Sequence, residues 1–295
     1  MPVTFSAALC LASAMVVVGS SVVAGRIMIA GLPLFFASSL RFALAAAVLW
    51  PLVRVLEGGL PRLSRRTWLI LTLQALCGSF LFTVCLLYGL KWTSPAAAGI
   101  VTSTTPACVG VIAWLAFRER PGRAEIAGIL FAVAGIMALN LAGAGPGLAG
   151  ANPLAGSLLV LAAVLCESCF LLLRKAVREP LSPLAASFLV SLLGLAWFAP
   201  FGLAEGAHAG LAAVPASAWW AVAYYGLVVT VGAYLLWFAG VVRVPAQTAG
   251  VFTALMPLSA LATGWLLLGQ APGAGEVLGC LLVLAGLGCL SLRRT

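Results

Sequence analysis

The chain has 295 residues, of which 63% are apolar and 8% charged, with no Asp and a formal net charge of +9. Soluble domains carry about a quarter charged residues, so this composition excludes an ordinary water-soluble core. The basic residues lie in connectors between apolar runs, which excludes a nucleic-acid surface as their explanation.

A hydrocarbon core of about 30 Å takes about 20 apolar residues in helical form. Ten such stretches follow one another, at 4–24, 33–53, 68–90, 95–117, 124–142, 154–173, 183–202, 218–240, 245–268 and 274–292. Pro33, Pro95, Pro153, Pro183 and Pro245 mark starts, where the missing N–H is no loss. The first stretch has no basic segment before it and outruns a signal peptide, so it reads as an uncleaved span. Trp50, Trp68, Trp92, Trp219 and Trp220 fall near span ends, as amphipathic rings do at the interface.

Within span 2, Arg41 lies about 12 Å in from Pro33. Two roles stand open for it: holding a substrate carboxylate, or satisfying neighbouring carbonyls. Span 3 offers Gln74, Ser79 and Tyr88 as polar or aromatic wall residues, and span 8 offers Tyr225, Tyr234 and Trp237. Each alone is equally at home in packing or at the interface.

Spans 4 and 9 carry Pro106 and Pro257, each four residues after a threonine. Proline cannot donate to that carbonyl, so the carbonyls of Thr102 and Thr253 are freed. Unpaired backbone in a bilayer is tolerated where it faces protein or a wet cavity. Thr102, Ser103 and Thr105 are therefore expected to line a central cavity; the rival reading is a kink whose hydroxyls bond back to their own helix. In span 6, Glu167 is the one acidic residue well inside an apolar run. It is a candidate coupling carboxylate, or a partner for a substrate amine; alternatively it reaches the interface or pairs with Arg174.

The eight cysteines all fall inside spans and read as small packing groups rather than disulfides or metal ligands. The lone histidine, His208, is in a connector, so no metal site and no cofactor is expected. Clustered Asp for metal-dependent transfer is missing, as are His-Glu protease pairs, a Ser-His pair and a phosphate-binding Gly-rich loop with Lys. An enzyme is not expected. A passive channel remains the rival class.

The connector at 142–153 is uncharged and rich in Gly and Pro, and it divides the chain into units 1–142 and 153–295. Residues 99–141 and 250–292 align without a gap, sharing Gly99/Gly250, Thr102/Thr253, Pro106/Pro257, Trp114/Trp265, Pro121/Pro272, Glu125/Glu276 and Gly128/Gly279. Arg118, Arg120 and Arg123 of the first copy become Gly269, Ala271 and Ala274 in the second. Five spans per unit force the second copy to run the opposite way, and the lost arginines fit a connector moved to the other face. With the N-terminus inside, thirteen Lys and Arg of the connectors and ends lie on the cytoplasmic side and two outside. The sequence thus predicts an all-α integral membrane protein of ten transmembrane helices, arranged as two inverted five-helix repeats, with both termini cytoplasmic. Ala124/Gly128 and Gly275/Gly279 are small-xxx-small pairs that should let spans 5 and 10 pack within one chain.

The stretch from Gly99 to Leu141, with Glu119-Arg120-Pro121 and Glu125, resembles the end-of-repeat signature of the EamA-type drug/metabolite transporters. Pro33 followed by Ser39-Leu40-Arg41-Phe42 resembles that family's second helix. The overall pattern is most similar to bacterial amino-acid exporters of the YddG type. Gln270-Ala271 departs from the pattern, lacking the Glu-Arg pair. The resemblance implies a multi-pass protein of the bacterial inner membrane that exports a small neutral or zwitterionic metabolite by alternating access. A proton-coupled exporter of cationic drugs is the alternative. The partners implied are a small-molecule substrate and the lipid bilayer, with no nucleic acid; monomer and homodimer both stay open.

Overall fold

A computed structural model describes residues 5–92, 101–102, 104–118, 120–142, 152–208, 214–268 and 274–291. Every regular element among them is helical. In chain order these are α1 (Phe5–Gly31), α2 (Leu34–Glu57), α3 (Arg65–Ala75, continued through Leu76–Leu81 to Phe82–Trp92), α4 (Thr105–Phe117) and α5 (Arg123–Ala142). They are followed by α6 (Pro153–Ala176), α7 (Pro183–His208), α8 (Ala216–Tyr224, continued through Tyr225–Ala233 to Tyr234–Val241), α9 (Ala246–Phe252, then Leu255–Leu268) and α10 (Ala274–Ser291).

Five described helices are long and apolar enough to cross a membrane: Leu34–Glu57, Arg65–Leu86, Leu154–Ala176, Pro183–Ala207 and Ala216–Val241. Phe5–Ser21, Thr105–Phe117 and Val277–Gly286 are shorter apolar helices. Large apolar side chains stand on the outside of the bundle, with Leu203 and Leu266 at 73% and 76% exposure. Water would penalise such a surface, whereas lipid does not.

Helix ends are satisfied locally. Ser64 accepts from Thr67 N–H at 3.3 Å and opens α3. Asn152 accepts from Ala155 N–H at 3.2 Å and opens α6. Pro33 supplies no side-chain cap to α2. There the Glu205 carboxylate, from the far end of α7, accepts from Phe35 and Phe36 N–H at 2.8 and 3.1 Å. An anion at a helix N-terminus is favourably placed.

The two parts of the chain interlock rather than sit side by side. Helices α2 and α7 pack together, as do α5 and α10, while α1 packs on α8 and α9 and α6 packs on α3 and α4. Two glycines make these crossings close. A Cβ at Gly240 of α8 would meet Leu11 at 2.8 Å and the Ala7 carbonyl at 3.2 Å. A Cβ at Gly89 of α3 would meet Val160 at 2.8 Å and the Gly156 carbonyl at 3.0 Å. Both crossings set a glycine against a large apolar side chain and a backbone carbonyl of the facing helix. Gly128 of α5 likewise lies against the Gly286 carbonyl of α10, within one chain.

The buried apolar core gathers at the end where the arginine-bearing connectors lie. It runs from Ala7 and Leu11 of α1 through Leu49 and Val53 of α2, Leu71 of α3, Phe170–Leu172 of α6, Leu189 of α7, and Trp237 and Phe238 of α8 to Ala246 of α9. The opposite end holds, among the described residues, a small satellite of Met28, Leu32, Ala37, Ala218, Ala221 and Val222.

Candidate functional site

Helices α3 and α8 are matched elements, and each widens midway into a π-helical stretch, Leu76–Leu81 and Tyr225–Ala233. An extra residue per turn loosens the backbone ladder and turns the following side chains to a new face; such bulges recur at functional sites. Gly78 and Gly226 sit inside them. A Cβ at Gly78 would fall 2.1 Å from the Phe170 ring, and one at Gly226 would fall 3.0 Å from the Arg41 carbonyl. The π stretch of α3 thus seats on α6, and that of α8 seats on α2.

Arg41 of α2 points into this region and is 9% exposed. Its guanidinium carbon lies 4.3 Å from the centre of the Phe42 ring and 4.5 Å from that of Tyr225. Its Nη1 donates to Thr230 Oγ1 at a long 3.4 Å, and Nε has no partner. Thr230 in turn donates to the Tyr225 carbonyl at 3.0 Å, a bond made across the π turn. Tyr234 lies in the field of Arg41 with its hydroxyl facing Ser79, although no well-formed hydrogen bond satisfies the buried Ser79 Oγ. Tyr234 packs on the large core and Tyr225 on the satellite, so the polar group lies between them.

Beneath it the arginine-rich end is tied shut. Gln74, fully buried, donates to the Phe170 carbonyl at 2.8 Å, and Trp237 Nε1 donates to the Leu171 carbonyl at 3.1 Å. Gln247 of α9 donates to the Gly110 carbonyl of α4 at 2.7 Å. At the end of α6, Arg174 donates to the Leu181 carbonyl and Lys175 to the Val244 carbonyl. Ser64 N–H donates to both Glu179 carboxylate oxygens at 3.2 Å. Hydrogen bonds from Ser64, the side chain first and then the backbone, with a smaller part from Thr67, hold the Glu179 carboxyl below its ordinary pKa.

Of the residues singled out in the sequence, Arg41, Ser79, Tyr225 and Tyr234 come together, and Gln74 and Trp237 lie just below them. Tyr88, 46% exposed, is about 13 Å further along α3 than Ser79. The threonine-proline positions behave differently from expectation. Pro106 falls in the first turn of α4, after a break at Thr104, and Pro257 falls in the first turn of the second α9 segment. The carbonyls expected to be freed are taken up locally: that of Thr102 accepts from the Thr105 hydroxyl at 2.8 Å, and that of Thr253 from Met256 N–H at 3.1 Å. The hydroxyls of Thr104 and Thr253 also return to their own helix, to the Val101 and Gly250 carbonyls at 2.6 Å each. Ser103 lies outside the described residues. At the first break the new partner is a hydroxyl one turn away, and at the second it is a backbone N–H of a tighter turn. Glu167 is half-buried on α6, and of the roles left open for it the pairing with Arg174 is not made: Arg174 donates to the Leu181 carbonyl instead.

Thr230 and Gln247 were missed in the sequence. Thr230 is a single polar residue in an apolar run and Gln247 stands beside Thr248 in a Pro-led turn, and their partners come from the π turn and the α4–α9 crossing.

Comparison with known proteins agrees with this architecture. A solved structure described only as "Crystal structure of protein" superposes with a TM-score of 0.81 over 98% of this chain and 99% of that one, at 22% identity. "Uncharacterized transporter YetK" of Bacillus subtilis (strain 168) is 40% identical over 251 residues, 85% of this chain and 76% of that protein. "Uncharacterized transporter YyaM" of the same organism is 22% identical over 246 residues, 83% of this chain and 80% of that protein. The EamA-like transporter family matches twice, over residues 5–141 and 154–292. With nearly its whole length accounted for, the chain belongs to the EamA-like transporter family.

Proposed function

We propose that the chain is a secondary transporter that exports small neutral or zwitterionic metabolites, amino acids foremost, as YddG-type exporters do. All ten helices cross the inner membrane as two inverted repeats, 1–142 and 153–295, with the arginine-rich end and both termini in the cytoplasm. What supports this reading is one polar group built on two matched π stretches, with the large buried cluster on its arginine-bearing side and, among the described residues, a smaller cluster on the other. That is the arrangement of a site open to one side at a time. Rocking of the interlocked parts would unfasten Gln74, Gln247 and Lys175 and expose the site to the other side.

Uptake of labelled amino acids into proteoliposomes, with and without a pH gradient, tests it. Saturable uptake with exchange is the expected result; single-channel currents would instead favour a passive channel. A proton-coupled exporter of cationic drugs is the second reading, favoured by Glu167, which has no ion-pair partner among the described residues. Transport by Glu167→Gln that is undiminished at every pH would remove it.

A further inference from the structure

We propose that Arg41 is a carboxylate subsite, so that the substrates of this transporter carry one carboxylate; this rests on the transporter reading above. A guanidinium offers five N–H donors and cannot shed its charge in a protein. Here it lies about 12 Å along α2 from Pro33, where an uncompensated charge is expensive. Yet its partners amount to one long bond to Thr230 and two ring faces, and no carboxylate pairs with it among the described residues. The structural role left open in the sequence would have it donating to backbone carbonyls, and among the described residues none accepts from it. Arg174, the other buried arginine among the described residues, also leaves Nε without a partner but donates to a connector carbonyl, which Arg41 does not.

The geometry of what remains is specific. The guanidinium carbon lies over the Phe42 and Tyr225 rings, 4.3 and 4.5 Å from their centres. Thr230 occupies Nη1. The edge formed by Nε and Nη2 is left, and that two-donor fork matches the two oxygens of a carboxylate. A buried donor without a partner is costly, so a group that can accept from it is favoured there. Eight residues after Pro183, the position matching Arg41, stands Ser191, so the second part of the chain supplies no second cation and the site takes one carboxylate. Ser79 and Tyr234 add neutral hydroxyls on the same side, suited to the rest of a polar head.

The test compares L-phenylalanine, phenylpropionate and L-phenylalaninamide as competitors of uptake, and as stabilisers against heat, with the purified protein in zwitterionic lipid. The acid pair should compete at least roughly tenfold better than the amide, the scale of losing a hydrogen bond to a charged group. Arg41→Met should erase that preference and Arg41→Lys should keep part of it. The competitor series needs no variant, so it stands even if Arg41→Met does not fold. Equal competition by acid and amide on the wild type overturns the subsite while leaving the transporter reading intact. A folded Arg41→Met that keeps the preference also overturns it. A protein that neither moves nor is stabilised by any carboxylate, yet carries amine drugs, overturns the subsite and the amino-acid reading together.

Discussion

The two ends of the bundle are built to different standards. At the arginine-rich end, α1, α2, α3, α6, α7 and α8 meet around Leu11, Leu49, Leu71, Leu172, Leu189 and Phe238, and three connectors are fastened by side chains of α6 and its neighbours. At the opposite end the described helices share a smaller cluster of Met28, Leu32, Ala37, Ala218, Ala221 and Val222. Among the described residues, the large buried cluster and the connector hydrogen bonds lie at the arginine-rich end, and the smaller cluster lies at the other.

The largest expected effect comes from truncating an aromatic at each end. Phe238→Ala should cost about 3–5 kcal/mol, the range for a fully buried ring. Phe201→Ala, half-exposed at the loose end, should cost under about 1 kcal/mol. Thermal unfolding in detergent reads both, and equal losses would erase the distinction between the ends. Next come the crossings. Gly240→Ala and Gly89→Ala introduce Cβ contacts of the same 2.8 Å, so local fit ranks them equal. Overpacking costs about 1–3 kcal/mol. The loose end can give way, so Gly89→Ala should sit near the bottom of that range and Gly240→Ala near the top.

The polar fasteners are worth less. Gln74→Leu and Gln247→Leu should each cost about 1 kcal/mol, in line with side-chain hydrogen bonds measured within membranes. Ser20, which meets Tyr224 at 2.7 Å in the loose half, should be replaceable by Ala at almost no loss. The smallest effect is the pH response of the connector clamp. Because folding lowers the Glu179 pKa, its contribution is complete above the unfolded carboxyl value and disappears as pH falls through the lowered folded one. Glu179→Gln should flatten that acid limb of a stability–pH curve; an unchanged limb would assign it to other groups.

Much of this was legible in the chain because it is periodic. The offset between the two copies announces matched helices, and an arginine inside an apolar run announces itself. Arg41, Ser79, Tyr225 and Tyr234 were reachable for that reason. The π stretches were not, since one extra residue in a turn changes no composition and no average period. Thr230 was lost with them, sitting in a run of valines whose face only the bulge decides. The threonine-proline positions misled in the other direction. Spacing shows which carbonyl loses its partner, but the replacement comes from rotamers such as that of Thr105, which spacing does not set.

The glycine crossings have a consequence for how the chain is made. The seat of α1 on α8 includes Gly240, so for most of synthesis the first helix enters the bilayer with nothing to pack against on that side. Helix α6 is better served, because Gly89 is already in place when it arrives. The N-terminal part is therefore a half-built lock that only the last third of the polypeptide can close. Produced as two separate chains divided at 142–153, each part should be degraded alone, and the two should survive when made together.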